Sequence, residues 1–121
     1  MQDEASLFKA LADPIRLRLA VLLAINGETC VCMLAQALDE PQFKVSKHLA
    51  VMRSARMVEA RREGTWMHYK LVKPRFVLES CLQDCLRDCL NDNREVKADM
   101  KRFASAKCEV PASEPKKRKK A

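Results

Sequence analysis

The sequence predicts a mainly α fold carrying one small β-hairpin, and three observations predict it. Apolar side chains recur at helical spacing along most of residues 5–90. Glycine numbers 2 and proline 5 in 121 residues, too few turn formers for a sandwich or barrel of many short strands. Between Val58 and Leu71 the period changes to alternation around a charged tip, Arg61-Arg62-Glu63-Gly64-Thr65.

The first segment, Ala5 to Ala12, is short and apolar at Leu7, Phe8 and Leu11. Asp13 before Pro14 is an N-cap followed by a first-turn proline, so the second helix starts there. It carries Ile15, Leu17, Leu19, Val21, Leu22, Leu23 and Ile25, is apolar on most sides, and is therefore a central core helix. Asn26-Gly27 ends it. Thr29 is a candidate N-cap for a short helix through Met33, Leu34, Ala35, Ala37 and Leu38. After Asp39-Glu40-Pro41, residues Gln42 to Ala55 form the next helix, with Val45, Leu49, Val51 and Met52 on its apolar face. Two helices joined by a short polar turn, the second of them basic, make a helix-turn-helix. The two-stranded hairpin directly after it completes a winged helix-turn-helix. Pro74 opens the last helix, where Leu78, Cys81, Leu82, Cys85, Leu86, Cys89 and Leu90 form an amphipathic stripe, and Lys97 to Phe103 prolong it. A terminal stripe of this kind needs a partner surface, which predicts a symmetric homodimer joined through terminal helices.

Apolar residues are 48% and charged residues 32%, with 23 basic against 16 acidic side chains and a net charge of +7. Residues 1–106 form one DNA-binding and dimerisation domain. Residues 107–121 read as a disordered basic tail, since the Lys116–Lys120 cluster lies among prolines and polar residues. No apolar run spans a bilayer and the acidic Met1–Ala5 start is no export signal, so a cytoplasmic protein without membrane contact is expected. In that compartment the cysteines at 30, 32, 81, 85, 89 and 108 read as reduced thiols.

The basic helix supplies candidate DNA contacts. Gln42, Lys44, Ser46 and Lys47 stand at its N-terminal end, the part that reaches base edges in a major groove, and His48 can reach a phosphate. Arg61, Arg62 and Thr65 at the hairpin tip suit the sugar-phosphate backbone or the minor groove. Phe43 suits a thymine methyl or simple packing. A dimer of such units expects double-stranded operator DNA arranged as an inverted repeat. There is no phosphate loop, nucleophile elbow or paired Cys and His, so no enzyme is expected.

Leu11-Ala12-Asp13-Pro14-Ile15-Arg16-Leu17-Arg18, Glu28-Thr29-Cys30-Val31-Cys32, Val45-Ser46-Lys47-His48-Leu49, and Arg61-Arg62-Glu63-Gly64-Thr65 followed by Tyr69 stand in chain order. Together they resemble the ArsR/SmtB family of small metal-responsive winged-helix repressors, over about residues 5–90. Cys30-Val31-Cys32 resembles the arsenic-sensing ArsR type. The resemblance implies a repressor released from its operator when trivalent arsenic or antimony, the inducer, binds the thiolates of Cys30 and Cys32. No constitutive cofactor is implied.

Three positions depart from the pattern. Ala35 stands where a further cysteine is expected, Met33 where an acidic residue is usual, and Arg56 where a helix-ending glycine is usual. Cys30 and Cys32, at i and i+2, point apart on a regular helix but can converge where a helix begins. With no carboxylate or histidine adjacent in sequence, the pair suits a thiophilic ion. A third thiolate is open to Cys81, Cys85, Cys89 or Cys108 of either chain, and a methylated arsenical needs only two. Cys81, Cys85 and Cys89 suit core packing as well as a second thiophilic site. The competing readings are a thiol-redox or Cd/Pb-responsive repressor of the same fold, and a thiol-rich metal-binding protein without a specific operator.

Overall fold

A computed structural model describes residues 1–108; residues 109–121, with the basic cluster of the predicted tail, lie outside the described residues. The elements are α1 (Gln2–Leu11), α2 (Pro14–Asn26), β1 (Thr29–Cys30), α3 (Val31–Leu38), α4 (Gln42–Ser54), β2 (Val58–Glu63), β3 (Trp66–Leu71), α5 (Val77–Asp88) and α6 (Arg94–Ser105). This is a helix-turn-helix, α3–α4, followed at once by a β wing.

Local chemistry sets the boundaries. The Asp13 carboxylate accepts from the Ile15 and Arg16 amides at 2.8 and 3.1 Å, which caps α2 ahead of Pro14. Burial pushes the Asp13 carboxyl up, but those two amides and the charges of His48 and Arg16 outweigh it and hold it below the usual range. Gly27, at φ +76°, closes α2 where side-chain-bearing residues are strained. Thr29 is not a helix cap: its hydroxyl donates to the Gly27 carbonyl at 2.8 Å, and Cys30 occupies the N-cap position of α3.

Leu19, Leu22 and Leu23 of α2, Leu34 and Leu38 of α3, and Val45, Leu49 and Met52 of α4 are almost wholly buried together. That core fixes α4 against the body and leaves its opposite face to solvent. Val51, placed on the apolar face by the sequence pattern, is 44% exposed because α4 turns it away from α3. The last helix also differs from expectation. It starts at Val77, three residues beyond Pro74, and stops at Cys89. The chain turns and restarts as α6, where the Asn93 side chain accepts from the Val96 amide at 3.1 Å.

The expected hairpin forms as β2–β3, and β1 adds a third strand in the order β1-β3-β2, with Thr29 opposite Tyr69 and Cys30 opposite His68. The β2–β3 turn pairs Glu63 with Trp66 across Gly64-Thr65, and Gly64 has φ +65°, the conformation that glycine opens in a two-residue hairpin loop.

Arg56 resolves the missing glycine. It adopts φ +63°, and α4 still closes by paired bonds, Met57 N–H to the Met52 carbonyl at 3.0 Å and Arg56 N–H to the Arg53 carbonyl at 2.9 Å. A side chain in that region costs about 1–2 kcal/mol, against the roughly 0.5–1 kcal/mol of chain entropy that glycine loses on folding. Arg56→Gly is therefore expected to stabilise the fold by about 0.5–1 kcal/mol, read as a raised denaturant midpoint. An unchanged or lowered midpoint would show that the arginine side chain compensates for its backbone.

Candidate functional site

Two surfaces collect the functional candidates. The first is the outer face of α4 with the wing tip. Gln42, Phe43, Lys44 and Lys47 are exposed, and Ser46 is half-buried. Phe43 is 72% exposed, so packing within its own chain is not its role. Pro41 precedes α4 without a side-chain cap, which leaves the first amides of the helix directed outward with their positive dipole end. Lys44 is tied to Glu40 at 3.1 Å, a solvent-exposed pair that competes only weakly with a phosphate.

The predicted DNA contacts divide on inspection. Arg62 and Thr65 are exposed at the wing tip. Arg61 is turned back: its guanidinium donates to Glu28 at 2.9–3.0 Å and to Glu63 at 3.3 Å. His48 is half-buried, with Nδ1 3.3 Å from Arg16 Nη1 and 3.9 Å from Asp13 Oδ1. Arg16 Nε in turn donates to the Ala10 carbonyl at 2.6 Å. Arg61 therefore fastens the wing to the segment before β1, and His48 lies where α4 meets the start of α2.

The second surface holds the cysteines. Cys30 is buried, extended in backbone, and both the last residue of β1 and the N-cap of α3. Cys32 is in the first turn of α3. The i, i+2 pair therefore straddles the start of a helix, the place where the spacing permits convergence. Contrary to the all-thiol expectation, Cys32 is joined to Cys108 in a disulfide, with Cα atoms 6.2 Å apart across a sequence separation of 76; Cys30, Cys81, Cys85 and Cys89 lie outside it. Two sulfurs are consumed in that bond, and among the described residues no three His, Cys, Asp or Glu side chains form a ready-made metal cage.

Cys108 sits here because α6 is anchored. The buried Asp99 carboxylate accepts from Arg18 at 2.7 and 2.9 Å and from Arg102 at 2.9 Å. Those arginines reach on to the Leu38 and Ala37 carbonyls at 3.2 and 2.8 Å, which fastens α6 to the end of α3. Gln36, one turn beyond Cys32, clasps the Lys107 backbone: Nε2 donates to its carbonyl at 2.6 Å and Oε1 accepts from its amide at 3.1 Å. The same Nε2 lies 3.4 Å from Cys32 Sγ and 3.2 Å from Cys108 Sγ. Cys30, Met33, His68, Phe103 and Cys108 line one open cavity of about 650 Å³. Sequence reasoning missed Gln36 and His68. Nothing in the sequence signals His68, whose place opposite Cys30 comes from the β1–β3 pairing.

The row at 81, 85 and 89 behaves differently. Leu82, Leu86 and Leu90 pack toward the core, whereas the three cysteines face outward with Val77 and Leu78. Packing inside their own chain is not their role. A hydrogen bond and charge from Cys85 push the Cys89 thiol up, which disfavours a thiolate there.

Residues 13–60 match the model of the bacterial regulatory protein, arsR family. An uncharacterised HTH-type transcriptional regulator of Methanocaldococcus jannaschii is 46% identical over 74 residues, 61% of this chain and 83% of that protein. The arsenical resistance operon repressor of Escherichia coli K12 is 49% identical over 65 residues, 54% of this chain but only 56% of that repressor. The crystal structure of AntR, an antimony-specific transcriptional repressor, superposes with a TM-score of 0.63 at 33% identity, covering 78% of this chain and 81% of that one. No helix among the described residues is long and apolar enough to cross a membrane. With its helix-turn-helix, its wing and these relatives, the chain belongs to the arsR family of bacterial regulatory proteins, which are DNA-binding transcriptional regulators and not enzymes.

Proposed function

We propose that the chain is a homodimeric repressor that holds operator DNA and releases it when trivalent arsenic or antimony binds Cys30 and Cys32. One observation carries this reading: Cys30 is at once a β1 residue paired with the wing strand β3 and the N-cap of α3, the helix before the recognition helix. A ligand that draws Cys30 and Cys32 together distorts the first turn of α3. The same pull acts on the wing through the β1–β3 pairing and through Glu28–Arg61. The donors suit a thiophilic ion, since the motif supplies sulfurs. The arsenical and antimony specificities named for its relatives point to the same ligand class.

On the DNA side, α4 enters the major groove with Gln42, Phe43, Lys44, Ser46 and Lys47, while Arg62 and Thr65 follow the backbone. Phe8 on α1 and Val77 and Leu78 on α5 stay exposed in the single chain and supply the dimer contact. Operator binding is tested by fluorescence anisotropy on an inverted-repeat promoter fragment over a range of salt. Lys47→Ala is expected to flatten the log–log salt slope by about 2 per dimer, one phosphate contact for each chain, and to weaken binding similarly on all sequences. An unchanged slope places Lys47 off the DNA.

The disulfide supports a second reading, in which oxidation of Cys32 and Cys108 itself switches DNA affinity. Release by diamide with no response to arsenite would favour it.

A further inference from the structure

Ala35 leaves the motif one cysteine short, and trivalent arsenic or antimony favours three thiolates. We propose that Cys108 of the same chain is the third thiolate, completing a Cys30–Cys32–Cys108 site that joins the start of α3 to the segment after α6. The inference rests on the inducer reading above.

Two independent features support it. Cys108 Sγ is within bonding distance of Cys32 Sγ, and Cys108 shares a cavity wall with Cys30. Cys108 is thus bonded to one half of the motif and faces the other across a shared cavity. Its placement also does not depend on the disulfide. Gln36 grips the Lys107 backbone at both its amide and its carbonyl, and Asp99 with Arg18 and Arg102 holds α6 against α2 and α3. The Gln36 amide is directed at both sulfurs, where it stabilises thiolate charge. Cys81, Cys85 and Cys89 face outward on α5 and line none of this cavity.

The chemistry balances in two steps. Two molecules of a small thiol give two electrons and two protons to the Cys32–Cys108 disulfide and leave joined as their own disulfide. Arsenous acid then exchanges its three hydroxyls for the three sulfurs. Three As–O bonds break, three As–S bonds form, three thiol protons leave in three waters, and arsenic stays trivalent.

The test uses the reduced full chain and its Cys108→Ser variant, with arsenite and phenylarsine oxide as probes. Phenylarsine oxide has one arsenic valence filled by carbon and takes only two thiolates. X-ray absorption is expected to show three sulfurs about arsenic in the wild type, and two sulfurs with one oxygen in the variant. Losing one arm of the chelate is expected to raise the arsenite concentration for half-saturation by about 100-fold, with phenylarsine oxide binding unchanged. Operator affinity without inducer serves as the check on folding. Three sulfurs in the variant, or unchanged arsenite binding, overturns the inference while leaving the inducer reading intact. Wild-type protein that binds neither probe overturns both. Equal loss of both probes in a variant that still binds operator overturns the third-ligand role.

Discussion

Replacing Cys30 and Cys32 together with serine is expected to leave operator affinity unchanged and to abolish its loss on adding arsenite. The fold tolerates the change for a local reason. Cys30 occupies the N-cap of α3 without a side-chain cap bond, and serine is among the best residues at that position. Cys32 is only half-buried in the first turn. In the reduced chain, where the Cys32–Cys108 disulfide is open, what the substitution removes is the pair of soft donors. In the wild type, inducer coupling of about 1–3 kcal/mol lowers operator affinity about 5–150-fold. In the double variant the ratio is expected to fall to unity. Anisotropy of labelled operator with and without arsenite measures it, and arsenite release that persists in the variant would remove the site from this account.

Asp99→Ala is expected to cost about 3 kcal/mol of stability, at the low end for breaking a buried ion pair. Asp99 is 1% exposed and receives bonds from both Arg18 and Arg102. Arg18 is mostly buried, and its carboxylate partner holds its already high pKa higher still, chiefly through the hydrogen bond. Truncation strands that guanidinium with only the Leu38 carbonyl. Arg102 is 40% exposed and recovers water, which keeps the cost at the lower end. Denaturant unfolding at fixed protein concentration measures the loss, since dimerisation makes stability depend on concentration. A change under 1 kcal/mol would mean that α6 is held by its apolar face alone and that the Asp99 cluster adds little.

The residues show how far the sequence could be read. Asp13, Pro14 and Gly27 act locally, so the bounds of α2 were legible without tertiary context. The junction position of Cys30 and Cys32 was legible for the same reason, even though the cap proved to be Cys30 and not Thr29. The third strand was not, because two residues carry no periodicity and their pairing with Tyr69 and His68 depends on the folded core. Cys108 stood as only one of four open third thiolates, since nothing local announces that Gln36 will grip Lys107 across a separation of 71. On α5, cysteines and leucines one position apart merged into one wide stripe. They lie about 100° apart around a helix, and only the packing of Leu82, Leu86 and Leu90 showed which column faces inward. The contacts of Arg61 with Glu28 and of His48 with Arg16 were not legible, because those partners are distant in sequence.

A ligand at the cysteine junction is expected to move the wing. The protein has one tryptophan, Trp66, half-buried at the start of β3 and opposite Glu63 at the wing turn. Its emission in the reduced chain, titrated with arsenite beside labelled operator, reports that movement directly. The expected result is a spectral change that saturates at one arsenic per chain, tracks operator release, and is absent in Cys30→Ser. Operator release with an unaltered Trp66 spectrum would contradict it and would leave the pull on α3 alone to carry the signal.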